Sequence, residues 1–314
     1  MREIDHPPDA ASLMESMRSI GYSLDSALAD LVDNSISADA TKIDIEFRPF
    51  DAPYLAIIDN GLGMTAGELE LAMRHGSQNP LTSRKDTDLG RYGLGLKTAS
   101  LSQCRCFTVI TKKDNVISAC RWDLDVVALR HAWTLLVLDQ TDISHLPQTE
   151  RLQDMPCGTI VLWQKLDRLL AGEASLEKAL GEKMFAAGEH LSLVFHRYIS
   201  GEGGIKKVDM AINSNPLNPI DPFLLTHRAT QRLDEDIFKI EESKVSVKPF
   251  ILPHISKLSP DEINVAGGRE GLRSQQGFYI YRSAHYAGGD SGGHSGGDVL
   301  SRLAGVAAAA GQSC

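Results

Sequence analysis

Between Gly21 and Ala40 the chain reads Gly-Tyr-Ser-Leu-Asp-Ser-Ala-Leu-Ala-Asp-Leu-Val-Asp-Asn-Ser-Ile-Ser-Ala-Asp-Ala, and Leu24, Leu28 and Leu31 recur there at helical spacing. That periodicity commits the stretch to a helix with one inward face, which Ser23 can cap. Asp30 and Asn34 are four apart, so a carboxylate and a carboxamide lie one turn apart on the same side. Asp and Asn compete with the helix for backbone hydrogen bonds. Asp30, Asp33 and Asn34 so close together therefore need a reason. A solvated face running into a turn is one; a polar site built on the helix is the other.

Two later stretches bear on the choice. Leu55-Ala-Ile-Ile-Asp-Asn-Gly-Leu-Gly-Met64 reads as a short apolar strand ending in Asp59, then a glycine-rich turn. A carboxylate at a strand end, with Gly61 and Gly63 permitting close backbone approach, suits an amino group on a planar ligand. In Asp88-Leu-Gly-Arg-Tyr-Gly-Leu-Gly-Leu-Lys-Thr-Ala-Ser-Leu101, Gly90, Gly93 and Gly95 precede a helix-like run. A glycine loop feeding a helix N-terminus is an anion site. Taken singly, Asp-x-Gly-x-Gly is an ordinary turn and glycine loops are common.

In this order and spacing the three stretches resemble the GHKL ATPases: gyrase B subunits, ninety-kilodalton heat-shock chaperones, histidine kinases and MutL. Asp-Leu-Val-Asp-Asn-Ser (30–35), Asp-Asn-Gly-Leu-Gly-Met (59–64) and Gly-Arg-Tyr-Gly-Leu-Gly-Leu-Lys-Thr-Ala-Ser (90–100) are most similar to the MORC-like bacterial branch. The resemblance covers residues 13–165 well and 205–282 more loosely. It implies an α/β fold: a Bergerat-type α/β sandwich, with a mixed sheet and helices on one face, followed by a partial α/β transducer-like domain. The expected limits are 1–170 for the ATP-binding domain and 171–200 for a connecting helix. Residues 201–283 would form an incomplete transducer-like (ribosomal S5-like) domain, and 284–314 a Gly/Ala-rich flexible tail.

The resemblance also assigns roles. Asn34 would coordinate Mg²⁺ bridging the ATP phosphates, Asp59 would accept from the adenine amino group, and Thr159, in the Gly-Thr that opens a later strand, would lie beside it. Gly61 and Gly63 would shape the adenine pocket and Met64 would pack on the base. Gly90, Gly93, Leu94 and Gly95, with Lys97 and Thr98, would wrap the phosphates; Lys97 reads equally as a helix-surface lysine. Residues 76–89, polar and containing Pro80, take the position of the ATP lid. The family's water-activating residue is a glutamate four before the asparagine. Here it is Asp30, one methylene shorter. A retreat of about 1 Å costs on the order of 10²-fold in rate, so ATP binding is the firmer expectation and turnover the softer one.

The implied function is an ATP-gated switch with weak Mg²⁺-dependent ATPase activity. It would form an ATP-dependent homodimer and act with a protein partner or DNA in a larger assembly. The competing reading is a nucleotide-binding scaffold that does not hydrolyse. A histidine kinase needs a phosphoacceptor histidine on an upstream helix, and His6 adjoins two prolines. No Gly-x-x-x-x-Gly-Lys-Ser/Thr occurs, which disfavours a P-loop enzyme.

Composition adds limits. In 314 residues there is no apolar run long enough to span a bilayer and no apolar signal region at the N-terminus, so a cytoplasmic protein without membrane contact is expected. The net charge of −9 argues against a broadly basic nucleic-acid surface. Five cysteines without a Cys-x-x-Cys pair read as free thiols, most of them buried.

The remaining elements follow from local pattern. Residues 11–20 and 65–74 read as helices, the second opened by a Thr65/Glu68 capping box. Strands are expected at 42–47, 106–111, 116–122, 133–138 and 158–163, with 144–157 a connection. A long helix is expected over 175–198, and strands at 207–213 and 277–282 in the second domain. The glycine-rich segment and alanine run after 284 read as low complexity, with no lysine after Lys257. The expectation is a truncated or frame-altered end.

Overall fold

The computed structural model describes residues 3–4, 6, 8–19, 22–76, 95–169, 175–240, 243–265, 277–282, 285–290 and 305–310. The chain divides into two compact units: residues 1–188 with 208–217, and residues 189–207 with 218–314.

In the first unit, α1 (Ala10–Arg18) starts where the Asp9 side chain accepts from Ser12 N, and α2 (Leu24–Ser37) starts where Ser23 accepts from Ser26 N. Leu24, Ala27, Leu28, Leu31, Val32 and Ser35 form the buried stripe of α2. The hairpin β1 (Lys42–Arg48) and β2 (Tyr54–Asp59) follows, then α3 (Ala66–Met73) with the full Thr65/Glu68 capping box. α4 (Gly95–Gln103) leads into β3 (Cys106–Lys113) and β4 (Val116–Asp123). Three short helices, α5 (Leu124–Arg130), α6 (Gln140–Ser144) and α7 (Glu150–Gln153), occupy the stretch before β6 (Gly158–Gln164), with β5 (Leu136–Leu138) between the first two. α8 (Leu176–Val194) follows, with residues up to Gly188 in this unit, and β7 (Asp209–Ile212) and β8 (Asn215–Pro216) close it.

Among the described residues the sheet runs β5-β4-β3-β6-β2-β1-β7-β8. It is mixed: β1 and β7 are parallel, and the other neighbours are antiparallel. This is the α/β sandwich expected. Alternate residues of β2 serve opposite faces. Ala56 and Ile58 join Ile110, Ile160 and Leu162 in a core closed by Ile143 of α6 and Leu152 of α7. Leu55, Ile57 and Asp59 share the other face, where Ser35 of α2 reaches Asp59. The principal helix therefore lies on one face, while short helices cover part of the other.

Two features depart from the sequence reading. β7 pairs with β1 from Lys42↔Asp209 to Ile45↔Ile212, so residues expected to open a second domain extend the first sheet. The long helix also ends early: Phe195 leaves helical geometry at φ −103° and ψ 17°, separating α8 from α9 (His196–Ser200). Cys104, Cys106 and Cys120 are buried free thiols, as expected; Cys157 is free and half-buried, and Cys314 lies outside the described residues.

The second unit contains α9, β9 (Gln231–Arg232), β10 (Asp236–Ile240), β11 (Ser243–Ile251), α10 (Pro260–Val265), β12 (Gly277–Arg282), β13 (His285–Asp290) and β14 (Gly305–Ala310). Its sheet runs β10-β11-β14-β12-β13, with β9 also on β11. Phe223, Phe250, Leu252, Tyr279 and Tyr281 form its core. Within the segment expected to be a flexible tail, residues 285–290 and 305–310 pair as strands. A strand ladder uses backbone groups, which Gly- and Ala-rich sequence supplies as well as any other.

Candidate functional site

β2 carries Asp59 to the sheet end, where it pairs in register with Thr159 of β6. Asp59 is buried. Its Oδ1 accepts from Gly61 N at 2.9 Å and its Oδ2 from Ser35 Oγ at 2.9 Å. Burial pushes its carboxyl above the ordinary range, against the pull of the Gly61, Ser35 and Thr159 hydrogen bonds. Each oxygen retains a further lone pair, so an amino group can still be accepted.

Thr111 of β3 faces Thr159 across the sheet, with 3.3 Å between the hydroxyl oxygens. Its Oγ1 accepts from Met64 N at 2.8 Å and donates to Gly158 O at 3.1 Å. These bonds fix the turn after Asp59. Gly63 sits at φ +63°, and a Cβ there would stand 2.1 Å from Lys112 O. A Cβ on Gly61 would stand 2.7 Å from Ala38 O. Only glycine fits this close approach of turn, sheet and helix end.

α2 links this corner to a second polar group. Ser35 belongs to its buried stripe, while Asn34 beside it is exposed and Asp30, one turn back, is half-buried. The Tyr22 hydroxyl donates to Asp30 Oδ2 at 2.6 Å. Burial raises the Asp30 carboxyl, as does nearby Asp33, while the Tyr22 bond lowers it. The Tyr22 phenol is itself pushed up to about 12, first by burial and then by Asp30, so it remains a donor. The N-terminus of α4 approaches the same carboxylate: a Cβ on Gly95 would lie 3.7 Å from Asp30 Oδ2.

Asp30, Asn34, Asp59, Gly61, Gly63, Met64, Gly95 and Thr159 are thus carried on α2, the sheet end and α4. Thr98 is buried in α4. Lys97 departs from the expected phosphate contact: its buried Nζ donates to Ala72 O at 2.7 Å, at the C-terminal end of α3. Burial lowers its pKa to about 8. Gly90, Gly93, Leu94 and the lid from 77 onward lie outside the described residues. Sequence reasoning missed Ser35, Thr111 and Tyr22. Ser35 left one signal, a polar residue on the apolar stripe of α2.

The donor set suits Mg-ATP chemistry. The cradle at Gly61 and Gly63 is closed to any side chain, and the buried carboxylate beside it can read a planar amine. Asn34 offers a neutral, exposed oxygen, adequate for a hard cation that keeps several waters and phosphate oxygens.

Residues 22–159 match the family model described as histidine kinase-, DNA gyrase B-, and HSP90-like ATPase. The ATPase MORC2B of Mus musculus is 38% identical over 96 residues, covering 29% of this chain and 9% of that protein. The ATPase morc-1 of Caenorhabditis elegans is 37% identical over 95 residues, 30% of this chain and 11% of that one. The DNA mismatch repair protein MutL of Erwinia tasmaniensis is 33% identical over 93 residues, 28% and 15% of the two chains. The chain therefore spans only a small part of the length of the curated relatives it matches.

Proposed function

We propose, from the match of residues 22–159 to the family model described as histidine kinase-, DNA gyrase B-, and HSP90-like ATPase, that this protein is an ATP-gated switch. It binds ATP with Mg²⁺, hydrolyses it slowly to ADP and phosphate, and dimerises when the lid closes. It acts in the cytoplasm, with a protein partner or DNA in a larger assembly.

The observation that supports the reading is that one helix contributes to two polar groups. Ser35 of α2 braces Asp59, opposite Thr159, while on the same helix Asp30 lies near Gly95 and Asn34 is one turn further on. Asp59 accepts from the adenine amino group, and Asn34 would hold the Mg²⁺. Bound there, Mg²⁺ neutralises phosphate charge. Asp30 takes the proton of the attacking water or orients it.

A second reading, a nucleotide-gated scaffold without turnover, is favoured by one feature: Asp30 is shorter than a glutamate and already engaged by Tyr22. Calorimetric titration with ATP and Mg²⁺, then phosphate release from the same sample, separates the two. The switch reading expects binding by wild type and Asp30→Ala, and release by wild type alone. Binding without release in the wild type selects the scaffold; no binding at all overturns both.

A further inference from the structure

Tyr22 sits immediately before Ser23, the cap residue of α2, and eight residues before Asp30. Eight residues of helix span about 12 Å, so the tyrosine folds back over the first turns to place its hydroxyl 2.6 Å from Asp30 Oδ2. It is anchored there from a second direction. Gln103 Nε2, at the end of α4, donates to Tyr22 O at 2.9 Å and to Ser102 Oγ at 2.8 Å. The opposite end of α4 brings Gly95 to the same carboxylate oxygen. α4 thus brackets the Tyr22–Asp30 pair at both ends.

An aspartate in this place has a particular need for such a partner. Its terminal torsion is broad and roughly two-fold, so an unassisted carboxylate presents its oxygens over a range of directions. A charge-assisted O–H···O⁻ bond of about 2.5–2.7 Å is among the stronger and more directional ones. We propose that Tyr22 is a positioning residue for Asp30: its phenol holds Oδ2 and leaves Oδ1 as the oxygen that meets the attacking water. The inference rests on Asp30 acting on water in the ATPase reading. Tyr22 acts through Asp30, the partner of its hydroxyl.

Among the described residues, the titratable groups acting on Asp30 are Tyr22 and, on its own helix, Asp33; α4 presents Gly95 to it. The phenol stabilises the ionised carboxylate. Removing it makes Asp30 ionise at higher pH, and the acid limb of the turnover profile moves up with it.

The test is Tyr22→Phe, read in three ways: ATP affinity by calorimetry, single-turnover phosphate release against pH, and titration of the Asp30 carboxyl by ¹³C NMR, assigned with Asp30→Asn. ATP affinity should stay within about twofold, because the nucleotide contacts are untouched. Release should fall by about 10- to 100-fold, and the acid limb and the NMR midpoint should both rise by about one pH unit. A release rate and pH profile equal to wild type overturn the proposal. So does a loss of release matched by loss of ATP binding and of thermal stability, which is what a merely structural tyrosine would give.

Should Tyr22→Phe not fold, a trifluorotyrosine placed at position 22 alone keeps the shape and makes the phenol a better donor. It should move the acid limb to lower pH, and an unmoved limb counts against the proposal. If wild type binds ATP but releases no phosphate, the ATPase reading is the one that falls. The NMR midpoint then decides the pairing: an upward shift in Tyr22→Phe upholds it and an unchanged midpoint overturns it.

Discussion

Asp59→Asn should weaken ATP binding by about 10- to 100-fold without harming the fold. In the wild type, Oδ1 accepts from Gly61 N and Oδ2 from Ser35 Oγ, and Ser35 Oγ also lies 3.3 Å from Leu31 O. An asparagine can keep its oxygen on Gly61 N and donate its amide to Ser35 Oγ, whose own proton then turns to Leu31 O. Every buried group stays paired, so no orphan penalty arises. The ligand side changes instead. An amino group that was accepted by a carboxylate now meets an amide donor. Loss of a hydrogen bond to a charged group costs about 1.5–3 kcal/mol, which is roughly 10- to 100-fold in affinity.

Stability responds to pH with a definite sign. Burial raises the Asp59 carboxyl above its ordinary value, so the folded chain holds that proton more readily than the unfolded one. The group's contribution to stability is complete below the ordinary carboxylate pKa and is lost as pH rises through the folded value. Asparagine does not titrate. The melting temperature of Asp59→Asn minus that of wild type should therefore grow as pH rises from about 4 toward neutrality. Calorimetric titration with Mg-ATP and melting curves across that range are the assays. Retained ATP affinity in a folded Asp59→Asn protein would refute the assignment of Asp59 to the adenine. A flat difference in melting temperature would refute the raised carboxyl.

Gly63→Ala should destabilise the first unit by about 3 kcal/mol or more, because its Cβ would lie 2.1 Å from Lys112 O at φ +63°; urea denaturation measures this, and a loss under about 1 kcal/mol contradicts the close packing. Lys97→Met should be at least as stable as wild type at pH 7, because burial lowers the Lys97 pKa from 10.5 to about 8, a charging cost on the order of 3 kcal/mol only partly offset by its bond to Ala72 O. Between those two pH values the unfolded chain binds a proton that the folded chain does not, so wild type gains stability as pH rises. The advantage of Lys97→Met should shrink over that window, and urea midpoints at neutral and alkaline pH will show whether it does.

What could be read from the sequence was what local chemistry decides. The leucine stripe of α2, the Thr65/Glu68 capping box and the arrival of Asp59 at a strand end all depend on residues a few positions apart, and all are present. Asp59 facing Thr159 depends on strand register across a hundred residues, and it came only through family resemblance. Ser35, Thr111 and Tyr22 were missed because their partners are set by tertiary packing and not by a local period. Each is an ordinary polar residue until the sheet and α4 bring its partner to it. Lys97, beside the glycine loop, reads equally as a phosphate contact and as a helix-surface lysine, but it is buried and its direction is set by the C-terminal end of α3. α6 escaped notice because it is one turn long, capped by the reciprocal Asp139/Asp142 pair rather than by an apolar period.

The edge of the first sheet gives a last consequence. After α8 the chain returns to pair β7 with β1, adding Asp209 N to Thr41 O at 2.9 Å and Asn213 N to Ile45 O at 2.9 Å. Where β7 ends, the Asn213 side chain takes over the ladder: its Oδ1 accepts from Phe47 N at 2.8 Å and its Nδ2 donates to Phe47 O at 3.2 Å. Val208 and Met210 are buried in the same unit, worth about 1.5–3 kcal/mol each on area grounds. A chain ending at residue 200 loses all of this and leaves β1 as a bare edge, open to pairing with another copy. A chain ending at residue 217 keeps it. The shorter fragment should unfold at lower urea, by about 3–6 kcal/mol, and should self-associate in light scattering. If both fragments are monomeric with the same urea midpoint, β7 is not part of the first unit's cooperative fold. The first unit would then end before the strand that completes its sheet.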